Sequence, residues 1–192
     1  MLAAGLALSG CSSADTSDKG ELGGTALNSP WAAPEVTLTD TSGTPYSFTS
    51  DADKPLTLVF FGYSQCPDIC QMVMGNITSA LTRVGDDVND VDVVFVTTDP
   101  ARDTQKELRR YLDRFDPSFV GLTGELSALE QAAAGFHITF EIEDKLPSGG
   151  YDVTHGTQVF ALSPDGEIGH YWSQDVTPQQ LAQDISLMLE DA

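Results

Sequence analysis

From residue 35 onward the apolar positions follow two patterns. Some alternate with polar residues, and others run unbroken for seven or eight positions. EVTLTD (35–40) and PYSFTS (45–50) alternate on either side of Ser42-Gly43. A period of two around a turn pair predicts a β-hairpin. LTLVFFGY (56–63) and VDVVFVTTD (91–99) are continuous and rich in β-branched and aromatic residues, which predicts strands covered on both faces. The segment between them predicts a helix over about 67–84. Two buried strands joined through a helix imply a parallel βαβ unit.

The pattern then changes. Thr104-x-x-Glu107 forms a capping box, and Leu108, Tyr111, Leu112 and Phe115 behind it share one helical face. FVGLTG (119–124) reads as a short strand or a loop. ELSALEQAAAG (125–135) reads as a helix closed by Gly135. HITFEIED (137–144) alternates as a strand, and LPSGGYD (146–152) is loop. Residues 156–172 predict a second hairpin about Ser163-Pro164-Asp165-Gly166. Thr177 caps a last helix, with Pro178 first and Gln180 three beyond the cap, and with Leu181, Ile185 and Met188 on its buried face. A βαβ half, an antiparallel hairpin half and a closing helix give an α/β, thioredoxin-like plan. It has a central mixed sheet flanked by helices and an N-terminal β-hairpin.

Length and charge narrow the function. The chain has 192 residues, enough for one domain with its own core. Nine Lys and Arg face 29 Asp and Glu, a net charge of −20. That surface repels nucleic-acid phosphates and favours cationic partners. MLAAGLALSGC (1–11) is apolar and rich in small residues, as a secretory signal is, yet too short to span a bilayer as a helix. Leu8-Ser9-Gly10-Cys11 resembles a bacterial lipobox, in which the cysteine carries the lipid. Residues 12–30 are mostly Ser, Asp, Thr and Gly, and 12–34 reads as a flexible tether. The expected layout is a signal and lipobox (1–11), a tether (12–34) and one domain (35–192). The domain would then sit on the extracytoplasmic side of a cell membrane, held by lipid on Cys11.

With Cys11 lipidated, Cys66 and Cys70 are the two cysteines of the domain. A helix that starts near Cys66 with Pro67 in its first position stacks both thiols on one face, their Cβ atoms about 5–6 Å apart. Free N–H groups and the positive dipole end of the first turn favour thiolates there. Such a pair suits three uses: a disulfide, a redox dithiol, or a clamp for a soft ion such as Cu(I). A structural zinc site would need both thiols and two of the three histidines. An i, i+4 disulfide closes too small a loop to stabilise much.

Four segments together resemble the SCO/SenC family of copper proteins: GYSQCPDIC (62–70), TDPARDT (98–104), FVGLTG (119–124) and VTHGTQVFALSPDGEI (153–168). The resemblance spans about residues 35–190. It implies a thioredoxin-like fold and copper as the bound metal, held by Cys66, Cys70 and His155. It also implies help in assembling the binuclear copper centre of cytochrome c oxidase, with the oxidase's copper-bearing subunit or another copper or thiol assembly factor as partner. The family usually places an acidic residue before this histidine, where this chain has Thr154, so Asp99 stands as the candidate carboxylate beside His155. His137 and His170 are rival ligands, read respectively as a surface residue and as a residue far along the next strand. Met72 and Met74 read as core packing. The same two cysteines would serve the alternative role, a membrane-tethered thiol–disulfide oxidoreductase that reduces the target's copper-ligand cysteines, with Cys66 as the attacking thiolate.

Overall fold

The structure, a computed structural model, describes residues 22–147 and 150–190. Its main sheet has eight strands. In chain order these are β1 (Thr25–Ala32), β2 (Thr37–Asp40), β3 (Pro45–Ser47), β4 (Leu56–Gly62), β5 (Val91–Thr97), β6 (Val120–Thr123), β9 (Val159–Leu162) and β10 (Glu167–Trp172). Two further strands, β7 (Phe140–Ile142) and β8 (Val153–His155), pair with each other in a separate ribbon. The main sheet runs β1-β10-β9-β4-β5-β6-β2-β3. β4, β5 and β6 are parallel, while β9 runs antiparallel to β4 and β10 to β9. This is the expected mixed, thioredoxin-like sheet.

β4 lies mid-sheet, and all seven of its residues are buried. Its period of two divides them between two cores. Leu56, Leu58 and Phe60 pack with Val73 and Ile77 of α1 (Ile69–Val84), Leu108 and Leu112 of α2 (Gln105–Leu112), and Leu181 and Ile185 of α4 (Pro178–Glu190). Val59 and Phe61 point the other way, onto Leu129, Ala132 and Ala133 of α3 (Leu126–Gly135) and onto Leu38 and Phe48 of the N-terminal hairpin. An unbroken apolar run is what a strand sandwiched between two layers requires. The helix caps hold as expected: Thr104 Oγ1 accepts from Glu107 N at 3.3 Å and Thr177 Oγ1 from Gln180 N at 3.2 Å.

Several expectations are corrected. Residues 25–32, read as part of the tether, form β1 and pair with β10. Six of the eight are exposed, as suits an edge strand, and Pro30 is tolerated at such an edge. α1 begins at Ile69 rather than Pro67, because the chain first makes a turn in which Cys66 N donates to Tyr63 O at 3.1 Å. α3 ends at Gly135 as expected, but Gly135 is its last helical residue and not a left-handed cap; an added Cβ there would stand 2.6 Å from Pro34. The left-handed residue beyond the helix is His137, with φ of 54°. Only Phe140–Ile142 of the alternating 137–144 segment is strand, and it lies outside the main sheet. Cys11 and the lipobox lie outside the described residues. No helix among the described residues is long and apolar enough to cross a membrane.

Candidate metal centre

β4 ends at Gly62 and delivers Tyr63 to the start of the thiol turn. The backbone must pass close to Cys70 here. A Cβ on Gly62 would stand 2.8 Å from Cys70 Sγ and 3.0 Å from Phe60 Cε1. The turn is fixed from below by Asp103, which is fully buried. Its carboxylate accepts from Ser64 N at 2.9 Å, from Ser64 Oγ, and from Thr97 Oγ1 at 2.7 Å. Burial pushes the Asp103 carboxyl pKa up, against the pull of these hydrogen bonds.

The helix cap is unusual. Asp68 occupies the N-cap position, yet its side chain makes no capping hydrogen bond. Instead the sulfur of Cys66 accepts from Cys70 N at 3.4 Å, so a thiol serves one of the free N–H groups of the first turn. Both cysteines are free and buried. The Cys66 pKa is pushed down to about 4, chiefly by the hydrogen bond from the Cys70 thiol, helped by His155 and by the N–H groups of Cys70 and Asp68. Cys70 moves the other way, because it donates to Cys66 and is more deeply buried. The arrangement favours negative charge on Cys66 and the proton on Cys70.

His155 comes from the ribbon. It pairs with Phe140 at the end of β8, half-buried. Its Nδ1 donates to Gly156 O at 2.7 Å, an atom that can only accept, which leaves Nε2 as the ring atom turned toward the sulfurs. Nε2 lies 3.4 Å from Cys70 Sγ. The rings of Phe60 and Tyr63 stand edge-on to the imidazole, at 6.2 and 5.8 Å between centroids. Tyr63 also accepts a hydrogen bond from Val153 N at 3.4 Å, tying the ribbon to the end of β4. Gly156 leaves room that a side chain would take, since a Cβ there would meet Gln158 Oε1 at 2.9 Å.

The ligand atoms of Cys66, Cys70 and His155 lie within 4.8 Å of one another, and among the described residues no fourth His, Cys or carboxylate joins them. Cys66 and His155 border an open cleft of about 270 Å³ walled by Tyr63, Pro67, Ile69 and Val153, and Cys70 lies behind them, fully buried. Two sulfurs and one imidazole fit a soft, low-coordinate ion such as Cu(I). A closed structural zinc site would need a fourth ligand.

The other candidates lie elsewhere. The Asp99 carboxylate accepts from Tyr151 Oη at 2.8 Å and pairs with Arg102, while the imidazole proton of His155 goes to a backbone carbonyl. Asp99 therefore holds the loop after β5 to the ribbon's approach rather than orienting His155. His137 packs on Trp31, with ring centroids 4.0 Å apart. His170 is buried and hydrogen-bonded through Nε2 to Gly23 O. Met74 is core, as expected, but Met72 is exposed. Sequence reasoning passed over Gly62, Tyr63 and Asp103. For Gly62 a signal existed, since a glycine inside a run of branched and aromatic residues marks a close backbone approach.

Comparison with known proteins agrees with this geometry. The chain is 30% identical over 139 residues to "Protein sco1" of Schizosaccharomyces pombe, a match covering 71% of this chain and 53% of that protein, so it spans about half of its relative's length. Two solved structures are each 28% identical. One is Bradyrhizobium japonicum ScoI with copper bound, with a TM-score of 0.70 over 86% of this chain and 99% of that one. The other is apo Sco1 from Thermus thermophilus, with a TM-score of 0.75 over 89% and 96%. Residues 27–190 match the family model described as SCO1/SenC, and the chain belongs to the SCO1/SenC family.

Proposed function

We propose that this protein is a copper metallochaperone, tethered outside the cell membrane by lipid on Cys11, that assists assembly of the binuclear copper centre of cytochrome c oxidase. The observation that carries this reading is the convergence of the ligand atoms of Cys66, Cys70 and His155, beside an open cleft that Cys66 and His155 line. Copper is the cargo. Cys66 offers the sulfur whose pKa is lowered, Cys70 releases its proton as it binds, and His155 presents Nε2 to the sulfurs while Nδ1 is held by Gly156 O. The cleft is open on one side, as ligand exchange with a recipient requires. The recipient is the copper-bearing oxidase subunit or another copper or thiol assembly factor.

The test is a copper titration of the reduced Cys11→Ser chain beside its His155→Ala and Cys70→Ser variants. Wild type takes up one copper per chain. Each variant weakens binding by at least the roughly 10–100-fold that removing even an outer-shell partner costs. A reduced wild-type chain that takes up no copper overturns the reading.

A second reading is favoured by the thiolate–thiol pairing. The Cys66 thiolate attacks a target disulfide and forms a mixed disulfide as the target's S–S bond breaks. Cys70 then loses its proton and attacks Cys66, releasing the second target thiolate. Two electrons pass to the target, and Cys66–Cys70 becomes the disulfide. Turnover of a disulfide substrate by the metal-free chain, abolished in Cys66→Ser, is the outcome that distinguishes this role.

A further inference from the structure

Five of the chain's nine basic residues fall within 13 positions, 102–114, in a protein of net charge −20. Three of them, Arg102, Arg110 and Arg114, line a single cleft of about 550 Å³. One wall of this cleft is Ser64 and Gln65, the two residues before Cys66. The cleft therefore adjoins the thiol turn on a different side from the one that faces His155.

Its polar groups are incompletely used. Arg110 pairs with Glu107, the one acidic residue of the lining, and keeps 70% of its side chain exposed. Arg114, an exposed residue, donates to Tyr111 O at 3.3 Å and lies over the Tyr111 ring. Arg102 is engaged by Asp99 and by the face of Tyr151, yet its Nη2 is buried without a partner. Tyr111 is only 3% exposed, and its hydroxyl also lacks a partner among the described residues. Burial raises the Tyr111 pKa, so the phenol keeps its proton and remains a donor. Buried donors without acceptors are costly. Here they border a cleft whose rim is cationic, and a carboxylate satisfies both conditions. Guanidinium groups take carboxylates in two-pronged hydrogen bonds that lysine does not reproduce.

We propose that this cleft is the docking site for an acidic segment of the polypeptide that exchanges copper with the thiol site, an inference that rests on the copper-carrier reading above. The size and openness of the cleft suit several residues of chain rather than one enclosed small anion. The protein's net charge repels an acidic segment from its other faces, so approach is favoured where the basic residues gather. Docking there places the partner against Gln65, next to Cys66, and leaves the mouth between Cys66 and His155 open for metal exchange.

The experiment uses a fluorescein-labelled hexaglutamate peptide and anisotropy at low salt, with copper uptake measured on the same samples. Wild type binds the peptide. The double variant Arg110→Gln/Arg114→Gln weakens binding at least about tenfold, the scale of losing charge-assisted hydrogen bonds. Tyr111→Phe weakens it severalfold, and Arg83→Gln, on the distant end of α1, changes it less than twofold. Copper uptake stays at the wild-type level in the double variant. No peptide binding by wild type overturns the proposal, and so does an Arg83→Gln loss equal to that of the double variant. Displacement of the peptide by free glutamate or inorganic phosphate at equal carboxylate or phosphate concentration also overturns it, since it makes the cleft a small-anion site. A chain that binds peptide but not copper keeps the cleft and loses the carrier reading; one that binds copper but not peptide does the reverse.

Discussion

The thiol turn and the histidine ribbon supply one site from two different kinds of structure. The turn that carries Cys66 grows from the end of the most buried strand. It is bolted to β5 by the Asp103 carboxylate and crowded by Gly62, Phe60 and the first turn of α1. The ribbon that carries His155 is two strands of three residues, outside the main sheet, with most of its surroundings exposed. It reaches the thiol pair through two long polar contacts, Val153 N to Tyr63 Oη and His155 Nε2 to Cys70 Sγ, each 3.4 Å, and through ring contacts with His155. Local opening concentrates where few apolar contacts and few buried hydrogen bonds hold an element. The two sulfurs are therefore the fixed part of the site, and the imidazole is the part that can be withdrawn. A carrier that must release its cargo is served by one ligand on a weakly held element.

Substitutions that strike each side break or sharpen this contrast. The largest effect concerns the fixed side. In the Cys11→Ser chain, thiolate absorbance titrates with a midpoint at about pH 4, accounts for one sulfur, and vanishes in Cys66→Ser. Cys66 is depressed on folding, so it adds stability above the ordinary thiol range. That contribution falls away as pH drops toward about 4. A single midpoint near 8–9, the ordinary thiol range, would remove the distinction between the two cysteines.

Asp103→Ala comes next. It leaves Ser64 N–H, Ser64 Oγ and Thr97 Oγ1 without their buried acceptor. The expected loss is about 3 kcal/mol, seen as a melting temperature lower by roughly 6–12 °C. Gly62→Ala follows at about 1–3 kcal/mol, because its Cβ overlaps Cys70 Sγ and Phe60. It also displaces Cys70 and weakens copper uptake, which the same titration reads.

The smallest change is on the ribbon side. Tyr63→Phe removes the acceptor of Val153 N–H and costs about 0.5–1 kcal/mol. Amide exchange at Val153 and His155 quickens while the β4 and β5 amides stay protected. If instead all amides lose protection together, the ribbon is as firmly held as the core, and the contrast fails.

The sequence was sufficient for the central strands, the helix caps at Thr104 and Thr177, and the second hairpin, because each is set by local periodicity or by a cap three residues long. Spacing alone also put Cys66 and Cys70 within reach of one another, and the family resemblance named His155. Other features depended on which segments meet. Residues 25–32 look like linker until β10 offers them an edge. Gly135 reads as a helix stop, and α3 does end there, but only the fold shows Pro34 packed where its Cβ would be. Asp99 looked as suitable a partner for His155 as any carboxylate near a strand end. The fold gave Asp99 to Arg102 and Tyr151 and gave the imidazole proton to Gly156 O. The sequence put Cys66 forward as the attacking thiolate, but the hydrogen bond from the Cys70 thiol that sets the two sulfurs apart, the anchoring by Asp103 and the cleft beside the turn appear only in three dimensions. They rest on hydrogen bonds and burial between residues far apart in the chain, and local pattern carries no information about such neighbours.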